Sequence, residues 1–156
     1  MSRFIKHIAV ITAVALFCNG CTHDKAEILE PVVETNYPSD VEAIIKNKCA
    51  TAGCHNTISK NGAAGLDLST WEKLFEGGNG GACVIPYRTD YSLLLYYTNT
   101  DSTQGLVLQP TMPYNSSPLS ATEYATLKNW IANGAPDKNG FVKFSDNPTR
   151  KKFYVS

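Results

Sequence analysis

The sequence predicts a small all-α domain of about four short helices joined by long loops. A chain of 156 residues has room for one compact domain with a leader and short tails. Three S-x-x-E pairs, whose side chains can satisfy unpaired amides at a helix start, accompany apolar residues at helical spacing. These pairs are Ser39 with Glu42, Ser69 with Glu72, and Ser120 with Glu123.

The first two pairs predict the first two helices. The first helix is expected to begin at Ser39, run for two to three turns and end near Cys49. The second is expected to follow Ser69 and to stop at Gly77 and Gly78, because glycine readily adopts the backbone conformation that ends a helix.

The third and fourth helices differ in how they are marked. Asp90 is expected to open the third, Tyr91–Tyr97, which has no polar face and is short enough to form a strand instead. Ser120 and Glu123 cap the last helix, which ends at Gly134 and Pro136. Its apolar residues recur every three or four positions: Tyr124, Leu127, Trp130 and Ile131.

Residues 1–20 have the build of an export leader. Arg3 and Lys6 precede the apolar run Ile8–Phe17, which is shorter than the roughly 20 residues that a membrane-spanning helix needs. Gly20 before Cys21 resembles the end of a bacterial lipoprotein leader, which implies a lipid on Cys21. The alternative is ordinary secretion with cleavage nearby. We therefore expect an exported protein held by its lipid on a periplasm-facing or cell-surface membrane.

The rest of the chain divides into three parts. Residues 21–38, with two prolines and scattered acids, are expected to form a tether. Residues 39–136 are expected to form the folded domain. Residues 137–156 are expected to form a tail, in which Phe141, Val142 and Phe144 could make one short strand. Without the leader the chain has 12 basic and 14 acidic residues, a formal charge of −2. This balance does not suggest a nucleic-acid-binding protein.

The segment from Cys49 to His55 carries the chemistry. It places two thiols and one imidazole within seven residues, directly after the first helix. A c-type haem needs this set, because the thiols form thioethers with its two vinyl groups and the adjacent histidine can bind iron. The usual spacing is C-x-x-C-H. Here four residues separate Cys49 from Cys54, so the loop must bulge, and Gly53 makes a bulge sterically cheap.

Met112 is the best candidate for a second axial ligand of the iron. It is the only methionine left after the leader is removed, and it lies in the long loop Thr98–Pro118 between Pro110 and Pro113, which stiffen the backbone. The other interpretation is a methionine that fills a gap in the core. His23 is a weaker ligand candidate because the tether would have to fold back over the haem.

These residues resemble the planctomycete-type cytochrome c domain, a divergent relative of class I cytochromes c. Members have a helix ending in Cys-Ala-x(n)-Gly-Cys-His, a Leu-containing segment like Leu66-Asp67-Leu68, then Met-Pro, and a closing helix of the form Leu-x-x-Trp-Ile-x-x-Gly-Ala. The closing segment here is Leu127-Lys128-Asn129-Trp130-Ile131-Ala132-Asn133-Gly134-Ala135. The resemblance covers roughly residues 40 to 136.

The resemblance implies a class I-like fold around one covalent haem c. Cys49 and Cys54 would attach the haem, His55 and Met112 would bind its iron, and Trp130 and Ile131 would pack near its edge. The function implied is single-electron transfer to redox partner proteins, without catalysis. Cys83 has no role in that pattern and is expected to be a small buried apolar residue. The less favoured alternative is a cysteine that links two molecules.

Three other interpretations stay open. A structural zinc site could use Cys49, Cys54, His55 and Cys83, although adjacent Cys54 and His55 would reach one small ion awkwardly. A plain surface lipoprotein could close a small loop with a Cys49–Cys54 disulfide and act as a structural or binding module. An iron without Met112 as ligand could bind a small gas or support peroxidase-like chemistry.

Overall fold

Four short helices form the regular structure of the described residues. The structure, a computed structural model, describes residues 34–144, and these residues contain no strand. This confirms the all-α prediction. The helices are α1 (Ser39–Ile44), α2 (Trp71–Glu76), α3 (Leu93–Thr98) and α4 (Ala121–Ala132), with a π-helical turn at Ile45–Cys49 and 3₁₀ turns at Lys60–Gly62 and Ser102–Gln104.

Several predictions fall on residues outside this range. They are the export leader, most of the tether with Cys21 and His23, and the end of the tail from residue 145. Within residues 34–144, no helix is long and apolar enough to cross a membrane.

The longest helix, α4, organises the core. Both α1 and α3 pack against it. In α1 and α4 the buried apolar side chains recur at three- and four-residue spacing, which is the stripe that a helix needs to bury one face, whereas α3 buries two adjacent leucines. The buried residues are Val41 and Ile44 from α1, Leu94 and Leu95 from α3, and Tyr124, Leu127, Trp130 and Ile131 from α4.

The start of α1 differs from the predicted capping box. Ser39 is already inside the helix, Pro38 precedes it, and no side chain caps it. The Glu42 carboxylate instead accepts a hydrogen bond from the Thr35 hydroxyl at 2.8 Å and lies 2.8 Å from Lys46 Nζ. The capping prediction for Ser39 and Glu42 was wrong because this carboxylate has other partners. The predicted end of the helical segment at Cys49 is confirmed.

The second helix begins one residue later than predicted. Thr70, not Ser69, is its capping residue, and the Thr70 hydroxyl accepts a hydrogen bond from the Lys73 amide at 3.4 Å. The Ser69 hydroxyl donates to the Asp67 carboxylate at 2.6 Å instead. The helix ends at Gly77, as predicted, with a φ of 72° that favours glycine.

The third segment is a helix, and its bounds shift toward the C-terminus. It runs over Leu93–Thr98, with Ser92 at its N-cap position. Asp90 does not open it; its carboxylate pairs with the Arg88 guanidinium at 3.0 Å. The predicted start at Tyr91 was therefore wrong.

The predicted capping of α4 is confirmed. The Glu123 amide donates to the Ser120 hydroxyl at 3.2 Å, and the Ser120 amide donates to the Glu123 carboxylate at 2.7 Å. Gly134 lies just beyond the helix with a φ of 96°. A Cβ at Gly134 would lie 2.6 Å from the Tyr87 ring, so the position requires glycine both for conformation and for space.

The described part of the tail, residues 137–144, folds as a turn and not as the strand suggested for Phe141 to Phe144. The Phe141 amide donates to the Asp137 carboxylate at 2.8 Å, and the Asp137 amide donates to the Phe141 carbonyl at 2.8 Å. The Phe141 ring contacts the Trp71 ring edge-on, with 6.0 Å between centroids. Side-chain and turn contacts thus take the place of strand pairing.

Removing the cap of α4 should destabilise the whole domain. We expect Ser120→Ala to lower the free energy of unfolding by about 1 kcal/mol, because the Glu123 amide loses its acceptor. Urea unfolding followed by circular dichroism measures this. Ser116→Ala, an exposed serine in the preceding loop, is the control; an equal loss in both variants would contradict the role of the cap.

Candidate haem-attachment site

The loop after α1 folds back on itself and gathers the predicted attachment residues. The His55 amide donates to the Cys49 carbonyl at 3.1 Å, and the Cys54 amide donates to the Thr51 carbonyl at 3.0 Å. Gly53 has a φ of 80°, the left-handed conformation that a bulged loop needs. Cys49, Cys54 and His55 therefore lie together in the loop that begins where the π-helical turn Ile45–Cys49 ends.

The two thiols have opposite environments. Cys49 is 7% exposed and belongs to the core, whereas Cys54 is exposed, and no disulfide joins them. Burial, helped by the nearby Cys54, raises the pKa of the Cys49 thiol to about 12 because the thiolate is poorly solvated there. One sulfur of the pair thus lies at the edge of the core and the other faces solvent.

The His55 imidazole is half-buried and incompletely bonded. Its Nδ1 is buried and has no hydrogen-bond partner, and it is the one such side-chain atom within residues 34–144. Burial lowers the pKa of His55, although the backbone of Leu66 and Ala63 acts in the opposite direction. At neutral pH the ring is neutral, which is the form that binds a metal.

An orphaned buried nitrogen is rare in a folded protein and calls for an explanation. Chain atoms cover Nδ1, so a group from outside the chain would have to bind the other ring nitrogen, Nε2. One large apolar side chain near His55 is exposed, since Ile58, three residues later, is 94% exposed. Two thiols and a neutral imidazole on one loop are the set of groups that fits a covalently attached haem.

Met112 lies on a different part of the fold. Its amide donates to the Tyr97 carbonyl at 2.7 Å, and the Leu108 amide donates to the Tyr96 carbonyl at 2.9 Å. The loop that carries Met112 is therefore tied to α3, and its side chain is half-buried. The Met112 amide is therefore hydrogen-bonded to α3 and not to the Cys49–His55 segment. The Met112 loop and that segment are connected through the packing of α1 and α3 on α4.

The predicted zinc alternative is not assembled. Within residues 34–144, which include all four suggested ligands, no three His, Cys, Asp or Glu side chains are placed to hold an ion. Cys83 is buried in the hydrophobic core, in keeping with a small hydrophobe.

Two cavities of about 220 and 130 Å³ lie elsewhere. Both are bordered by Gln104 and Tyr124, between the loop after α3 and the start of α4. None of the four predicted site residues lines either of them.

Sequence reasoning missed an ion pair beside the attachment segment. Asp67 is 1% exposed, and its carboxylate lies 3.1 Å from Lys73 Nζ. Burial alone would raise its pKa, but the hydrogen bonds from Ser69 and Lys73 hold the pKa of Asp67 at about 2. The only signal in the sequence is an acid between two leucines, Leu66 and Leu68, a weak sign of a buried charge.

Comparisons of this chain with protein-family models, with curated proteins and with solved structures found no match. The candidate site is therefore inferred from the residues of this chain and their geometry.

The two thiols should differ strongly in reactivity in the chain without attached haem. At pH 8 a thiol with a pKa of about 12 is ionised in about one molecule in ten thousand. We expect an alkylating reagent to modify exposed Cys54 at least about a hundredfold faster than Cys49, as measured by peptide mass spectrometry. Similar rates in urea provide the control; similar rates in the folded chain would contradict the burial of Cys49.

Proposed function

We propose that this chain is a single-haem c-type cytochrome that carries electrons outside the cytoplasm. The observation that supports it is the placement of Cys49, Cys54 and His55 in one loop after the π-helical turn Ile45–Cys49, with an imidazole that burial favours in its neutral form. Cys49 and Cys54 would attach the haem covalently, and His55 would hold the iron. Haem supplies an iron that accepts and releases one electron, and no substrate bond is made or broken.

Each residue of the segment has a definite task in this proposal. Cys49 would tie the haem to the core, because it lies in the buried cluster. Cys54 is exposed, so the attachment reaction can reach it. His55 is kept neutral by burial, so no proton has to leave the ring before it binds iron.

Met112 is proposed as the second axial ligand. Its loop is anchored to α3 through the Tyr97 carbonyl, and Pro110 and Pro113 restrict the backbone on both sides. A neutral thioether favours reduced iron more than a second imidazole does, so this ligand set implies a comparatively high reduction potential.

Export and lipid attachment at Cys21 belong to the same proposal. The leader in residues 1–20 and the tether that follows would keep the domain at a membrane surface, facing redox partner proteins. The formal charge of −2 after leader removal implies modest electrostatic steering toward those partners.

The mass of the mature exported protein tests the proposal directly. We expect the polypeptide to carry one haem and, with the anchor, one lipid group, and the purified protein to be red with sharp visible bands. The double variant Cys49→Ser, Cys54→Ser should lose the haem mass and the colour.

Cys83→Ser is the matched control, because Cys83 is a buried cysteine outside the attachment segment. It should keep both haem and colour. A colourless protein that contains zinc, or one that carries only a Cys49–Cys54 disulfide, would refute the cytochrome proposal in favour of the corresponding alternative.

Replacing Met112 tests the second ligand. We expect Met112→Ala to abolish the sulfur-to-iron absorption band and to lower the reduction potential by about 59 mV or more. For a one-electron couple this shift is a tenfold change in the equilibrium constant for reduction. Leu106→Ala, an exposed apolar residue of the same loop, should change neither. If band and potential both survive Met112→Ala, another group binds the iron or the position is open, as peroxidase-like chemistry would require.

A further inference from the structure

A buried ion pair lies next to the attachment segment. The Asp67 Oδ2 atom is 3.1 Å from Lys73 Nζ, and Asp67 Oδ1 accepts hydrogen bonds from the Ser69 amide at 3.0 Å and the Ser69 hydroxyl at 2.6 Å. The Asp67 side chain is almost completely buried, whereas Lys73 is 31% exposed. A buried carboxylate persists only when its charge and its lone pairs have partners, and this one has both.

The Lys73 ammonium also reaches the loop after His55. Lys73 Nζ donates to the Thr57 hydroxyl at 2.6 Å, and the Thr57 and Ser69 hydroxyl oxygens are 3.2 Å apart. Thr57 follows His55 by two residues, while Lys73 belongs to α2. The ion pair therefore joins the His55 loop to the start of α2.

The residue after Asp67 holds the backbone of His55. The Leu68 amide donates to the His55 carbonyl at 2.8 Å, and the His55 amide donates to the Cys49 carbonyl at 3.1 Å. The imidazole has no hydrogen bond at Nδ1 to orient it. The direction of the ring therefore depends on the peptide groups on either side of His55. It also depends on the contacts that hold residues 66–68 in place, because the Leu68 amide is bonded to the His55 carbonyl.

The ion pair is unusual among those of the described residues. In each of the three other pairs both partners are at least 30% exposed, whereas Asp67 is 1% exposed: Glu42 with Lys46, Arg88 with Asp90, and Glu34 with Lys138. Such pairs contribute little to stability. In this pair only the carboxylate is buried, and an apolar pair could stabilise the fold equally well, so a role in fixing local geometry is the one to test.

We propose that Asp67 and Lys73 are positioning residues that fix the direction in which His55 presents its imidazole to the iron. This role rests on the proposed haem function. It follows the general behaviour of metal sites, in which groups that do not touch the metal orient the residues that do, and their loss weakens the site about 10- to 100-fold.

Hydrogen exchange in the haem-loaded protein tests the proposal. We expect Lys73→Met to speed exchange of the Leu68 amide about tenfold, because the segment that holds the His55 carbonyl opens more often, and to shift the reduction potential. The Leu127 amide in the middle of α4 reports global unfolding and should not change. NMR measures both amides in one sample. Asp67→Asn should have the same effect.

Two further variants complete the test. Lys73→Arg restores the positive charge and should return exchange of the Leu68 amide to within about twofold of the unmodified protein. Asp90→Asn removes an exposed ion pair remote in sequence from His55 and should leave exchange and potential unchanged. If Asp67→Asn does not fold, the measurement can still be made on Lys73→Met, because Lys73 is partly exposed.

The outcomes separate this proposal from the cytochrome proposal. Unchanged exchange of the Leu68 amide in haem-loaded Lys73→Met, or equal acceleration at Leu68 and Leu127, overturns the positioning role and leaves the cytochrome proposal standing. A mature protein without covalent haem overturns both.

Discussion

The packing of α1 and α3 against α4 is the constraint on which the rest of the described structure depends. Helices of six residues, such as α1 and α3, are too short to be stable alone in water, so they exist because they bury apolar side chains on a longer partner. The capping box gives the 12-residue α4 a defined start, and Gly134 accommodates the chain just beyond its end. The positions of Cys49, at the end of the α1 segment, and of Met112, tied to α3, both follow from that packing.

The attachment segment combines a buried and an exposed half, and this division suits the proposed chemistry. Cys49 belongs to the core, Cys54 faces solvent, and the His55 ring is half-buried, which favours its neutral form. Beside this segment the buried Asp67 carboxylate pairs with Lys73, although an apolar pair could serve stability equally well. A site that must hold one imidazole in one direction gives a physical reason for that arrangement.

Local signals succeeded where the partners of a side chain are its neighbours in the sequence. The start of α4 could be predicted to the residue, because Ser120 and Glu123 satisfy each other within one turn. The same pattern failed at Glu42, whose carboxylate is bound by Thr35 and Lys46, and at Ser69, whose hydroxyl is bound by Asp67. The capping motif identifies residues that are able to cap a helix. Contacts with residues outside the motif decide whether they do so.

The amino-acid sequence by itself determined the helical class, the limits of α4 and the spacing that places two thiols and an imidazole on one loop. These features depend on residues only a few positions apart. Tertiary structure alone decided that Nδ1 of His55 is buried without a partner, that Cys83 is not gathered with Cys49 and Cys54 into a metal site, and that Asp67 is a buried charge paired with Lys73. Burial depends on which distant segments cover a residue, and no local pattern contains that information.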